Sequence, residues 1–298
     1  MANDTTAAAR ITTITEEPVN TWLNRPLASL FVAFFYRHTS VSANQVTMLA
    51  IVFGVAAGIL FTTGSYAMLF LGALAYQLSI VLDCADGQLA RLKGTSSEFG
   101  RILDGISDYI VGLSILGGAL YALLTSYGSL SGYMILPVSQ DLVLPLAILG
   151  FVSITVHSIA YDLIKTKFTS IVKTGVDQTV KEQRDLEARY RREYTSLPAG
   201  KRIMLRIYLT YNGLQNSLLS VGAYSRLSYS PSEREAIIER ERGFLRLWSF
   251  LGPNSHMLFI VLAALAGDLV FALWLAVVPF NVYYIIMLIV TKIRMRAH

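Results

Sequence analysis

Three long stretches of this chain hold no lysine or arginine: between Arg37 and Arg91, between Arg101 and Lys165, and between Arg246 and Lys292. A helix of about 20 predominantly apolar residues crosses a bilayer core roughly 30 Å thick. Each gap has room for two such helices with a turn between them. Composition agrees: 54% of the 298 residues are apolar and 15% are charged, as in a membrane protein. Basic residues collect on the cytoplasmic side of membrane helices. With six spans every Lys and Arg falls on one side, so both termini are expected to be cytoplasmic.

The fold expected is therefore an all-α integral membrane protein with six transmembrane helices and an N-terminal amphipathic interfacial helix. Residues 1–18 are polar and threonine-rich, without the apolar core of a cleaved signal peptide, and read as a disordered start. From Thr21 to Arg37, Leu23, Leu27, Leu30, Phe31 and Phe34 fall at helical spacing in a segment too short to span. Ser42-Ala43-Asn44-Gln45 has the form of a capping box before the first span. The spans are expected near Val46–Thr62, Tyr66–Arg91, Arg101–Thr125, Leu142–Leu163, Leu245–Ala266 and Leu269–Lys292. Gly54 and Gly58 sit four apart in the first, a spacing that lets helices pack closely. His157, in the fourth, reads as an interior residue rather than a ligand. This divides the chain into 1–41, a block 42–163 holding the first four spans, a polar insert 164–244, and 245–298. In the insert, Lys181/Asp185 and Glu187/Arg191 are spaced as on a solvated helix, and 203–221 reads as a helix on the membrane surface.

The residues that carry chemistry lie at the facing ends of the second and third spans. Asp83 and Asp86 are three apart and Asp104 and Asp108 are four apart, so each pair shares a helix face. A carboxylate at membrane depth costs about 2.5–3.5 kcal/mol on insertion scales unless it is paired or bound to metal. Four of them make an all-oxygen set, which suits Mg²⁺ or Mn²⁺ rather than zinc. The single cysteine, Cys84, excludes an intrachain disulfide, and no zinc spacing, Walker loop or RNA-binding signature is present.

The full pattern, D-x-x-D-G-x-x-A-R, eight residues, then G-x-x-x-D-x-x-x-D, resembles the signature of the CDP-alcohol phosphotransferase family. Asp83, Asp86, Gly87, Ala90, Arg91, Gly100, Asp104 and Asp108 match every fixed position. The resemblance implies transfer of a substituted phosphoryl group, phosphatidyl in the main reading, from a CDP-linked donor to an alcohol acceptor with release of CMP, in phospholipid synthesis. It implies Asp83, Asp86, Asp104 and Asp108 as ligands for two metal ions. Asp83, Gly87, Ala90, Arg91 and Gly100 become the nucleotide patch, and Asp108 the base that deprotonates the acceptor. The glycines leave room against the backbone, and the Arg91 guanidinium is suited to clamp a phosphate. Taken alone, Arg91 would read as an interfacial anchor.

Further expectations are a homodimer, an active site on the cytoplasmic side of the cell membrane, and no nucleic-acid partner. Lys165, Lys167, Arg202 and Arg206 are candidates for binding an anionic acceptor, against their simpler role as positive-inside anchors. The competing reading from another class is a cation channel or transporter using the aspartates. Against it, the acids gather at one membrane face, and no pair of broken helices stands out in the sequence. A scaffold that merely retains a metal site is a third reading. The motif itself does not choose the acceptor alcohol, nor whether the lipid is donor or acceptor.

The topology is directly testable. In a protein whose Cys84 is replaced by serine, single cysteines at Ser129 and at Ser230 should react with a membrane-impermeant maleimide from opposite sides. Labelling of both from one side would overturn the six-span arrangement.

Overall fold

A computed structural model of the chain describes residues 14–176, 188 and 228–296, and every regular element among them is helical. The all-α membrane fold is the one adopted. A π-helical turn, Asn20–Asn24, leads into α1, Arg25–His38. Pro26 falls in the first turn of α1, where its missing N–H would have had no intrahelical partner. Ala28 and Val32 are buried, whereas Leu30 and Phe34 are exposed, which is the two-sided pattern expected of an interfacial helix.

The next three helices follow the sequence closely. α2 is Ala43–Thr62, and its capping box forms as read: Gln45 N donates to Ser42 Oγ at 3.3 Å and Ser42 N donates to Gln45 Oε1 at 2.8 Å. α3 is Tyr66–Lys93. It stops at Gly94, whose φ of 65° lets Thr95 N reach back to Ala90 O at 2.9 Å. α4, Glu98–Thr125, begins with Gly100 N donating to the Ser97 hydroxyl at 3.0 Å.

α2 and α4 approach backbone to backbone. A Cβ on Gly58 would lie 2.4 Å from Ser114 O, and one on Gly118 would lie 2.1 Å from Gly58 O. A Cβ on Gly54 would meet the Val111 side chain at 2.5 Å. The glycine spacing is therefore used for packing, as read. Gly118, the reciprocal partner, belongs to the same contact.

α5 runs from Gln140 to Thr174, well past the expected end at Leu163. Charge at Lys165 and Lys167 suggests a polar insert, but Ile164, Phe168, Ile171 and Val172 remain buried at helical spacing. Helical packing thus continues beyond the apolar span. The expected fifth span, Leu245–Ala266, is distributed over α6 (Pro231–Trp248), a 3₁₀ turn (Ser249–Leu251) and α7 (Pro253–Ala266). Pro253 disfavours helical backbone in the residue before it, and Gly252 is extended. α8 (Leu269–Val277) and α9 (Pro279–Arg296) follow. Among the described residues, five helices or continuous pairs are long and apolar enough to cross a membrane, and a sixth if Pro231–Leu251 and Pro253–Ala266 count as one broken span.

Two compact units can be distinguished. One comprises Glu17–Thr155 with Pro253–Asn281 and carries the acidic motif. Its core includes Phe61, Leu69, Tyr76, Ile115, Leu123 and Val261. A polar chain ties its N-terminal segment to α3 and α7. Glu17 accepts from Asn254 N at 2.8 Å and from Asn254 Nδ2 at 2.9 Å, placing a buried carboxylate on the N-terminus of α7. Asn24 Nδ2 donates to Asn254 Oδ1 at 3.2 Å, and Gln77 Nε2 to Asn24 Oδ1 at 3.0 Å. Ordered structure accordingly starts before residue 18, where sequence pointed to disorder.

The other unit comprises the described parts of Met1–Glu16, Val156–Gly252 and Val282–His298. His157 is fully buried there, with its ring 5.3 Å from that of Tyr284, and it has the interior place expected. Buried Glu241 pairs with Arg240 at 2.8 Å and with Arg294 at 3.3 Å, and Arg294 also lies over the Phe244 ring at 4.7 Å. Tyr229 N donates to Gly175 O at 2.8 Å, which joins the end of α5 to the start of α6. The helices expected over 181–192 and 203–221 fall outside the described residues.

Glycine substitutions on α2 and α4 give a contrast that tests the packing. Overfilling a close helix contact costs about 1–3 kcal/mol. Gly58→Leu should therefore lower the thermal midpoint in detergent by several degrees. Gly112, whose Cβ would meet nothing within 4 Å, should accept alanine with no loss. Equal midpoints for the two variants would contradict the contact.

Candidate active site

α3 and α4 each bring carboxylates to one place. Oxygens of Asp83, Asp86 and Asp104 lie within 4.8 Å of one another. Asp86 is buried, Asp83 partly buried and Asp104 exposed. Three carboxylates this close repel one another unless a cation sits among them. The donor set is all oxygen, which fits a hard divalent ion. Asp108 lies one turn beyond Asp104 on the same helix, exposed and outside this triad. Tyr76, seven residues before Asp83 on the same face of α3, is buried.

α2 braces the cluster. The Thr47 hydroxyl, 4% exposed, donates to Asp86 Oδ2, and it also lies 3.2 Å from Ala43 O. One helical turn further along α2, Ala50 O accepts from Ser79 Oγ at 2.7 Å, which fixes α3 against α2. At the other half of the motif, Asn44 Oδ1 is 3.5 Å from where a Gly100 Cβ would stand. One helix thus touches both halves of the motif, at Asp86 and at Gly100. Thr47 and Asn44 were not singled out from the sequence. Their signal was the small, buried stripe Ala43, Thr47, Ala50, Gly54 and Gly58, which looks like packing until its partners are known.

The remaining motif residues fall beside the carboxylates. The Arg91 guanidinium folds back along α3, with Nη1 3.5 Å from where a Cβ on Gly87 would be. An arginine therefore covers backbone left bare by the glycine, an arrangement suited to a phosphate. Lys93 is occupied differently: its Nζ donates to Val41 O at 2.7 Å. Ala90 is partly buried. Gly100 is bounded by Ser97 Oγ at 3.3 Å as well as by Asn44. The proposed acceptor residues are not gathered here. Lys165 and Lys167 lie on α5 in the second unit, and Arg202 and Arg206 fall outside the described residues.

Thr47 provides a test of the brace. Outer-shell partners of metal-binding carboxylates are worth about 10–100-fold in metal affinity. Thr47→Val keeps the shape and removes the donor, so Mn²⁺ affinity measured by calorimetry should fall within that range, and Thr47→Ser should restore most of it. Unchanged affinity in Thr47→Val would show that Asp86 is positioned without it.

The comparisons agree with this geometry. Residues 40–174 match the family profile described as CDP-alcohol phosphatidyltransferase. Ceramide phosphoethanolamine synthase of Drosophila melanogaster is 30% identical over 131 residues, covering 41% of this chain and 33% of that protein. The match thus spans about a third of the relative's length. The profile runs over α2, α3, α4 and α5, a little under half of the chain, and takes in all eight fixed motif positions.

Proposed function

We propose that this protein transfers a substituted phosphoryl group, phosphatidyl in the main reading, from a CDP-linked donor to an alcohol in a metal-dependent reaction that releases CMP. The observation that carries this reading is the meeting of three carboxylates from two membrane helices within 4.8 Å. The acceptor oxygen forms a bond to the donor phosphorus, and the bridging P–O bond to CMP breaks. Asp108 takes the hydroxyl proton. Asp83, Asp86 and Asp104, with Asp108 as a fourth ligand, would hold Mg²⁺ or Mn²⁺. Two such ions, when bound, would supply charge neutralisation for the diphosphate and the departing phosphate oxygen. Arg91 orients the diphosphate over Gly87, while Ala90 and Gly100 leave space for the nucleotide. In this reading the site opens toward the cytoplasm and the protein works as a homodimer in the cell membrane.

A second reading draws on the relative's name, which joins a phosphoethanolamine group to ceramide, a lipid alcohol. By that analogy the lipid is the acceptor and the CDP-linked donor is a soluble alcohol. Both directions use the same carboxylates. They separate in one experiment with purified protein, Mg²⁺ and no ion gradient. One arm supplies CDP-diacylglycerol with candidate alcohols; the other supplies CDP-ethanolamine with diacylglycerol or ceramide. CMP release and lipid mass spectrometry identify the productive arm, and no CMP in either arm would overturn the transferase reading.

The aspartates are expected to separate by role. A positioned base contributes about 10²–10⁴-fold in rate. Asp108→Asn should lower turnover at least about 10²-fold while calorimetric binding of CDP with Mg²⁺ is largely kept. Asp83→Asn should weaken metal and CDP binding together. Near-normal turnover in Asp108→Asn would make Asp108 a spectator.

A further inference from the structure

An apolar cavity of about 350 Å³ lies among α4, α5, α7, α8 and the start of α9 within the unit that carries the aspartates. Pockets that hold small ligands run from about 300 Å³ upward. Its lining on α4 extends from Leu113 to Leu123, and His256 is the one polar side chain in the wall. The two ends can be told apart. Asp268 Oδ2 accepts from Ile135 N at 2.7 Å, so the loop after α4 meets the turn between α7 and α8. Leu123 and Leu269 therefore mark the end away from the motif. Leu113, Ile154, His256 and Phe280 mark the other, with the His256 and Phe280 rings 4.5 Å apart.

Asp108 lies five residues before Leu113, about 7.5 Å along the helix axis. The stretch from Leu113 to Leu123 adds about 15 Å at 1.5 Å per residue. That is half of a hydrocarbon core roughly 30 Å thick, the depth filled by one acyl chain in one leaflet. An elongated, almost wholly apolar space of that length, starting just beyond the candidate base, matches a fatty acyl chain better than any polar ligand. Gly117 lines the wall, and a Cβ there would meet nothing within 4 Å.

Resting on the transferase reading, we infer that this cavity holds one acyl chain of the lipid substrate and sets how far the lipid can settle beside Asp108. The chain's carbonyl end sits near His256, and its methyl end points toward Leu123 and Leu269.

Gly117→Trp fills the cavity without touching the aspartates. KM for a dipalmitoyl lipid substrate should rise about tenfold or more, the scale at which apolar pockets discriminate. KM for the dihexanoyl analogue and calorimetric binding of CDP with Mg²⁺ should not move. Gly117→Leu gives the same contrast at smaller size if the tryptophan variant does not fold. A second measurement needs no turnover: a diacylglycerol carrying a diazirine near one chain end, and its CDP ester, photolabel the unaltered protein. Adducts on peptides covering 113–123 and 147–154, diminished in Gly117→Leu, support the assignment. Equal labelling of those peptides by a phosphatidylcholine probe, or equal KM changes for long and short chains, overturns it. Cavity labelling without CMP release would instead sink the transferase reading and leave the acyl-chain site standing.

Discussion

Backbone contact between α2 and α4 at Gly58 and Gly118 is the constraint on which the candidate site depends. In lipid, helices gain little from apolar contact with one another, and association rests on close packing and hydrogen bonds. With side chains at these positions α4 could not come this near to α2. α2 also holds α3, through Thr47 on Asp86 and through Ala50 O on Ser79. The two acidic pairs are therefore brought together by a third helix that contributes no carboxylate. Without that brace, mutual repulsion and desolvation would favour separation of Asp83, Asp86 and Asp104.

A second set of polar contacts fixes the membrane helices from the N-terminal side. Glu17, Asn254, Asn24 and Gln77 bond in sequence, and Asn20 accepts from Cys84 Sγ at 2.9 Å, one residue from Asp83. Buried polar groups left without partners cost free energy, so such a chain holds its members in one arrangement. The opposite face of α3, which bears Asp83 and Asp86, is left to the site. This division explains why a span rich in polar residues is still stable as a membrane helix: one polar stripe is satisfied internally and the other is reserved for chemistry.

How much of this could be read beforehand follows from the range of each interaction. Spans and caps are local. The Ser42 capping box, the end of α3 at Gly94 and the early Pro26 all obey rules that act within one or two turns. The gaps in Lys and Arg and the spacing of four aspartates also needed no tertiary information, so the membrane fold and the motif were legible. The polar stretch after Leu163 was misjudged as the end of α5 because three lysines obscure a stripe of buried residues, Ile164, Phe168, Ile171 and Val172. Segment 14–18 reads as disordered because a partner that orders it is distant: the Glu17 carboxylate is held by Asn254, far along the chain.

Sequence alone determined the membrane helices and the residues suited to bind a hard cation, and it carried the resemblance to the CDP-alcohol phosphotransferase signature. These follow from residue type and from periodicities of three, four and seven. Tertiary structure decided which of them meet. It gathered Asp83, Asp86 and Asp104 and left Asp108 one turn outside. It recruited Thr47 and opened an apolar space beyond Asp108. The physical reason is that these are contacts between helices whose relative rotation and depth are set by small residues and buried polar pairs far apart in the chain. No single window of sequence contains both partners.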